Sequence, residues 1–342
     1  MASLFSFSLY AICTEGELID HRSPAFFDKS SKTHLVRDQQ WNNWCYAFTA
    51  SDLVTHYLFN NNKKLLTHNA KERIPREFQF VSPLSLVSHS VNGPVNKGTF
   101  FTDTNSGGQI TQWLMDQFTL PRSGVCLESE VRSSNMTLPY KGRPIQIPKM
   151  LNIMEDKYRS SLKKRKNVTK NDPWLKHMQL IFPKMRMSEL QSAINIGIEK
   201  RLGGAQFISS LIKRNCRNPL KIKSLPKIKR IRRNLIENNT DNRDVYLKEL
   251  KNQLRSNNIV GVEYNSYLID KDFREGRMMS RPHVSSIVGE KCSGGRTYYL
   301  IRNSYSNNCQ EKGYRQGIEC DQGNIWVTEE LLLKMSTRIS FL

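Results

Sequence analysis

From Ile259 onward the hydrophobic pattern changes its period, and that change limits the folds open to this chain more than any other feature. Before it, apolar residues recur at three- and four-residue steps. Segment 44–58 (WCYAFTASDLVTHYL) lines up Ala47, Phe48, Ala50, Leu53, Val54, Tyr57 and Leu58 over about four helical turns. Segments 82–89, 109–118, 150–161, 189–201, 205–213 and 244–256 also read as helices, the second with Ile110, Trp113, Leu114 and Phe118 on one side. Beyond it, 259–264, 283–289, 297–302 and 324–327 are rich in Val, Ile and Tyr with turn residues between, which reads as strands. A polar stretch, 16–38, reads as an extended lead-in. The expected class is α+β: a helical first lobe, a β-rich second lobe and a cleft between them.

Charge divides the chain differently. Residues 141–240 hold 25 Lys and Arg against 6 Asp and Glu, whereas the rest is near neutral, out of a formal net charge of +21. We therefore expect four parts: a lead-in over 1–24, a helical lobe over 25–140, a basic insertion over 141–240 and a β-rich lobe over 241–342. Three readings of the insertion stay open. It is a solubilising, partly disordered segment, a docking surface for an acidic partner or polyanion, or a lid over the cleft. Its interleaved Trp174, Leu175, Met178, Leu180, Ile181, Phe182, Leu190, Ile194, Phe207, Ile208 and Leu211 argue that part of it folds and packs.

No apolar run is long enough to span a bilayer. Residues 4–13 (LFSFSLYAIC) fit the apolar part of a secretory signal, with Ala11 and Cys13 as small residues before a cut. No Lys or Arg precedes them, so a first strand or a tag junction is the alternative. The seven cysteines include no CxxC pair and no histidine at zinc spacing, so neither a metal site nor a cofactor is expected. Cys309 and Cys320 flank a ten-residue polar loop between two predicted strands. Their pairing is expected, and it implies an oxidising compartment, secreted or periplasmic, whereas free thiols there favour the cytoplasm. Cys126, Cys216 and Cys292, with or without Cys13, hold one or two further bonds that the sequence does not assign. Asn135, Asn167 and Asn238 begin N-x-Thr sequons.

Cys45 falls in the first turn of the 44–58 helix, which Asn42 and Asn43 are suited to cap. A thiol beside unpaired helix N–H groups is expected to have a lowered pKa, and thiolate is the reactive form. Gln39, six residues earlier, offers an amide that can donate to an oxyanion beside the sulfur. Of seven histidines only His283 lies in the stranded half, at a predicted strand start, and it is the candidate base. Asn303, twenty residues on, ends another strand-like run and offers an oxygen to orient the imidazole. Each has a bland reading alone: a buried small Cys, a structural strand His, a turn Asn. His56, Trp113 and Met115 read as structural.

Together these segments resemble the papain family of cysteine peptidases. QQWNNWCYAF at 39–48 is similar to that family's stretch from the oxyanion glutamine to the nucleophile helix. RPHVSSIVG at 281–289 resembles its base strand, and LIRNSYS at 300–306 its Asn-Ser-Trp-Gly motif. Asn105-Ser106-Gly107-Gly108 resembles the family's glycine pair, whose backbone binds the substrate chain. SPLSL at 82–86 and GNIWV at 323–327 match its short helix and closing strand. The likeness covers about 30–140 and 242–330.

There are departures. Asn42 replaces a disulfide cysteine of the family, Trp44 stands where a small residue precedes the nucleophile, and Tyr305-Ser306 replaces Trp-Gly. The 238 residues from Cys45 to His283 exceed the family's spacing of about 130–150 by roughly the length of the insertion. The 38 residues ahead of Gln39 are too few for the family's long propeptide.

The resemblance implies a monomeric endopeptidase with an imidazolium–thiolate pair, His283 and Cys45. Asn303 orients the base, while Gln39 and the Cys45 N–H form the oxyanion hole. Gly107, Gly108, Trp44, Pro282 and Tyr305 line the substrate, a protein or peptide. The alternative is a catalytically weak relative that docks on polyanions through its basic insertion.

Overall fold

A computed structural model describes residues 13–22, 26–28, 33–34, 37, 39, 44–61, 79–90, 124–133, 137–140, 143–217, 219–220, 226, 228–233, 240–274, 281–305, 309 and 313–342. It is mixed α+β, built on an antiparallel sheet.

The spine of that sheet is the twelve-residue strand Pro282–Ser293. From Val284 to Val288 its residues are buried on both faces, so the sequence shows a continuous apolar-small run rather than strict alternation. Taking the strands in chain order, Leu18–Asp20 is β1, Phe27–Asp28 β2, Thr33–His34 β3, Thr137–Tyr140 β4, Arg143–Gln146 β5 and Lys229–Arg232 β6. Val260–Asn265 is β7, Pro282–Ser293 β8, Arg296–Arg302 β9, Glu319–Asp321 β10, Asn324–Thr328 β11 and Ser336–Phe341 β12. The main sheet runs β10-β11-β9-β8-β7-β12-β6, with β1 added to β8. β7 pairs with the first half of β8, and β9 and β1 with the second, across an irregularity between Ile287 and Gly289. A side chain at 289 would stand 2.5 Å from the Ile19 carbonyl oxygen, so glycine there lets β1 close onto the strand.

One face of the sheet covers α1 (Cys45–Asn61) and, through Val284, Val288, Leu300 and Trp326, joins an apolar cluster that continues through α2 (Pro83–Ser90). The other face carries Tyr264, Ile287, Tyr299, Ile301 and Ile325 into a second cluster. That cluster is closed by α7 (Thr240–Arg255) and α8 (Glu329–Met335).

The basic stretch folds into α3 (Ile147–Lys164), α4 (Trp174–Ile181), α5 (Met187–Glu199) and α6 (Gly204–Asn215). Leu175, Met178, Ile181, Phe182, Leu190, Ile194, Phe207, Ile208 and Leu211 are buried in the same cluster as α1 and α2. Tyr158 and Phe207 stack at 3.8 Å and 8°. Over 143–217 most charges sit outside while a full apolar stripe faces inward. The unit docks where the Ser209 hydroxyl donates to the Ser88 carbonyl (2.9 Å) and where Cys216 is bonded to Cys126. Cys13 is bonded to Cys292 and Cys309 to Cys320, the last as expected; Cys45 is the free thiol. Among the described residues no helix is long and apolar enough to cross a membrane.

Candidate active site

Helix α1 is buried nearly all round, unlike a surface helix with one apolar stripe. Its polar residues are therefore matched internally. The Val81 backbone takes Ser51 and Thr55: the Ser51 hydroxyl donates to its carbonyl, and its N–H donates to Thr55 Oγ1 (3.1 Å). Asp52 accepts from Arg37 Nη2 and from Arg302 Nε (3.0 Å). Arg37 also donates to Ser51 and lies over the Phe48 and Phe80 rings. This scaffold fixes the helix whose first residue is Cys45.

Cys45 is 4% exposed. Burial pushes its thiol up to about 11, and the Glu263 charge pushes the same way. The backbone N–H groups of Val284, Tyr46 and Cys45 itself pull it down without overcoming burial. The expected lowered pKa is thus reversed. The helix N-terminus acts as anticipated, but loss of water around the sulfur outweighs it. The Val284 N–H at the sulfur also puts Cys45 beside the residue that follows His283.

His283, the second residue of β8, is buried. Its Nε2 lies 3.0 Å from Asn303 Oδ1; an amide oxygen accepts, so Nε2–H donates. Asn303 Oδ1 also accepts from the Ser304 N–H (3.0 Å) and weakly from Ser285 Oγ (3.5 Å), while its Nδ2 donates to Tyr314 Oη (3.2 Å). The imidazole sits between two tyrosines. Tyr305 stacks on it at 5.0 Å and 11°, with its hydroxyl 3.4 Å from Nδ1. Tyr264 meets it edge-on at 5.4 Å, and the Tyr264 hydroxyl bonds Ser285 Oγ (3.0 Å).

Gln39 joins the same group through Ser304. Its N–H donates to the Ser304 carbonyl (2.8 Å), and its Oε1 accepts from the Ser304 hydroxyl. That fixes the side-chain amide so that Nε2 is its donor end. Cys45, His283, Asn303 and Gln39 are therefore brought together by α1, β8 and the turn after β9.

The remaining candidates separate. Trp44 is wholly buried in the core, so it is no cleft wall; its bulk fills space beneath the start of α1. Pro282 is exposed at the start of β8 beside His283. Gly107 and Gly108 lie outside the described residues, as do Asn42, Asn43 and the expected 109–118 helix. Sequence reasoning missed Tyr264, Ser285, Tyr314 and the Arg37–Asp52–Arg302 network. Only Asp52 left a signal, as an acid inside an apolar helical run. His56 is a core residue packed on Phe26, with burial lowering its pKa to about 3. Cys126, Glu130 and Cys216 also lie within 4.8 Å of one another, but the two sulfurs are bonded to each other and offer no thiolate to a metal.

No protein-family model and no curated protein matches this chain. Among solved structures it is similar to the proform of the ragweed pollen cysteine protease Amb a 11, at 12% identity and a TM-score of 0.43, covering 97% of this chain and 66% of that one. A structure concerned with the mite allergens Blo t 1 and Der p 1 gives 12% and 0.43, covering 98% and 73%. A Carica candamarcensis cysteine protease gives 13% and 0.40, covering 95% and 96%. This chain thus spans about two thirds of the length of the ragweed protein. A likeness at these identities and TM-scores assigns no activity here.

Proposed function

We propose that this protein is a papain-like cysteine endopeptidase with a two-lobed body. The observation that carries the reading is the His283 imidazole: Nε2–H is held by Asn303, and its neighbour Val284 donates to the Cys45 sulfur. A nucleophile, a base and an orienting amide are what acyl transfer through a thiol requires.

With the Cys45 thiol up at about 11, the resting nucleophile is a neutral thiol. His283 Nδ1 takes the thiol proton as the sulfur attacks the peptide carbonyl carbon. The oxyanion is met by Gln39 Nε2 and the Cys45 N–H, each such donor being worth about 3 kcal/mol. The proton passes from His283 to the leaving amine, leaving an acyl-thioester on Cys45. Water then gives a proton back to His283 and attacks the thioester, releasing the acid and the thiol. Three disulfides support an oxidising compartment such as the extracellular space.

The test is digestion of a peptide library by the purified protein, with Cys45→Ala, His283→Ala and Asn303→Ala beside it. The first two should abolish thiol-dependent cleavage. The third should lower it by roughly tenfold or more while leaving residual activity, because Asn303 orients rather than reacts. Undiminished cleavage by Cys45→Ala sinks the assignment.

A further inference from the structure

The helical unit carries a groove that the peptidase reading does not use. Lys157, Ser160, Ser161 and Lys164 recur at the spacing that puts them on one face of α3. Together with Lys166 from the turn beyond, they form one wall of a cavity of about 420 Å³, and Trp174 on α4 forms the other. That volume lies in the range of small-molecule sites, about 300–1,000 Å³.

Charge in the groove is unbalanced. Among the described residues none of the three lysines has a carboxylate within 4.0 Å. Arg159 of the same unit is paired with Glu155, and Arg186 and Arg217 with Glu189, whereas Lys163, Lys176 and Lys200 are as unpaired as the three, so what sets the three apart is that they share one cavity. The one acid lining the groove, Asp172, is engaged by the Thr169 N–H (2.8 Å) and hydroxyl. Service to the α3 dipole accounts for Lys164 in its last turn. It does not account for Lys157, two turns earlier, or for Lys166, beyond the cap. Three ammonium groups facing one cavity repel one another, and an anion with several oxygens relieves that repulsion.

Trp174 packs partly against the core and turns its remaining surface to the groove. A bare anion would leave that aromatic wall unused. A flat ring joined to the anion would stack on it.

We propose that this groove binds a nucleoside phosphate. Lys157, Lys164 and Lys166 hold the phosphate oxygens, and the base lies on Trp174. The site is independent of Cys45 and stands whether or not the chain is a peptidase. The nucleotide is free or belongs to a single strand, since both present the same chemistry.

The test is calorimetric titration of the full chain, disulfides intact and Asn167 free of glycan, with ADP, a short 5′-phosphorylated oligothymidylate, inorganic tripolyphosphate and a heparin oligosaccharide. ADP should bind, and its affinity should fall steeply between about 50 and 200 mM salt. Lys157→Gln, Lys164→Gln and Lys166→Gln together, all exposed positions, should weaken it by about tenfold or more. Trp174→Leu should weaken ADP but not tripolyphosphate, and Trp174→Phe should retain both. An oligonucleotide much tighter than ADP identifies a strand as the source; equal affinities identify the free nucleotide. Absence of ADP and oligonucleotide binding overturns the proposal, as does binding that ignores the lysine substitutions. Binding of heparin alone makes this a glycan site and also overturns it. Trp174→Leu without effect on ADP removes the base from the assignment.

Discussion

Arg302 Nε donates to Asp52 Oδ2 at 3.0 Å, with both side chains buried, so an ion pair joins the helix that begins at Cys45 to the residue immediately before Asn303. Arg37 holds the other oxygen of the same carboxylate. The orientation of the proposed base and the seat of the proposed nucleophile therefore depend on one acid.

Asp52→Asn leaves two buried guanidinium groups facing a neutral amide. We expect a loss of about 3–5 kcal/mol in urea unfolding. Replacing Asp52, Arg302 and Arg37 together by Leu, Met and Met should recover much of that loss, since apolar side chains often substitute for a complete buried ion-pair set. An unchanged unfolding midpoint in Asp52→Asn would show that the pair does not support the fold.

The Cys45 thiol at about 11 makes a distinct claim about reactivity. Alkylation of the free protein by iodoacetamide should be slow at neutral pH and climb steadily as pH rises towards 11. A rate that already levels off at mildly acidic pH means a pre-formed thiolate, and the neutral resting thiol would be wrong.

Mass mapping under non-reducing conditions should find three bonds and a single free thiol, Cys45. Cys126–Cys216 closes the span of 90 residues that includes α3 to α6. In the chain-entropy account, losing it costs about 4–5 kcal/mol. Cys126→Ser with Cys216→Ser should therefore melt well below the parent; equal melting temperatures would contradict this.

His56 has a depressed pKa in the folded chain, about 3 against an ordinary 6.5, chiefly through burial and then through His21. A histidine of this kind contributes stability above its unfolded pKa and loses it as pH falls from about 6.5 towards 3. Stability measured across that window should decline less in His56→Leu than in the parent. Parallel curves would mean that His56 does not set the acid limit.

The sequence made the two elements of the candidate site legible because each carries its own local pattern. Helix 44–58 shows its period, and the strand at 283 shows its apolar-small run. Their meeting was legible only as a resemblance, since contact across 238 residues leaves no local trace. Tyr264 illustrates the gap: it reaches His283 because β7 and β8 pair in that register. Strands β6 and β12 were missed because arginines interrupt their alternation; they are set by pairing with each other and with β7. The sign of the Cys45 shift was misjudged for a related reason. Proximity to a helix terminus can be read from sequence, whereas the depth of the sulfur depends on everything packed above it.

The Cys13–Cys292 bond has a consequence for biosynthesis. Residue 13 leaves the ribosome long before residue 292, and the two are separated by 279 positions. In the interval Cys45, Cys126 and Cys216 emerge as competing thiols. Pairing of Cys13 with Cys45 in that window would silence the proposed nucleophile until thiol exchange freed it, over seconds to hours. Correct maturation thus requires Cys13 to be unbonded, or released by exchange, once β8 exists. The rate at which active protein appears should then follow the supply of disulfide isomerase rather than the speed of translation.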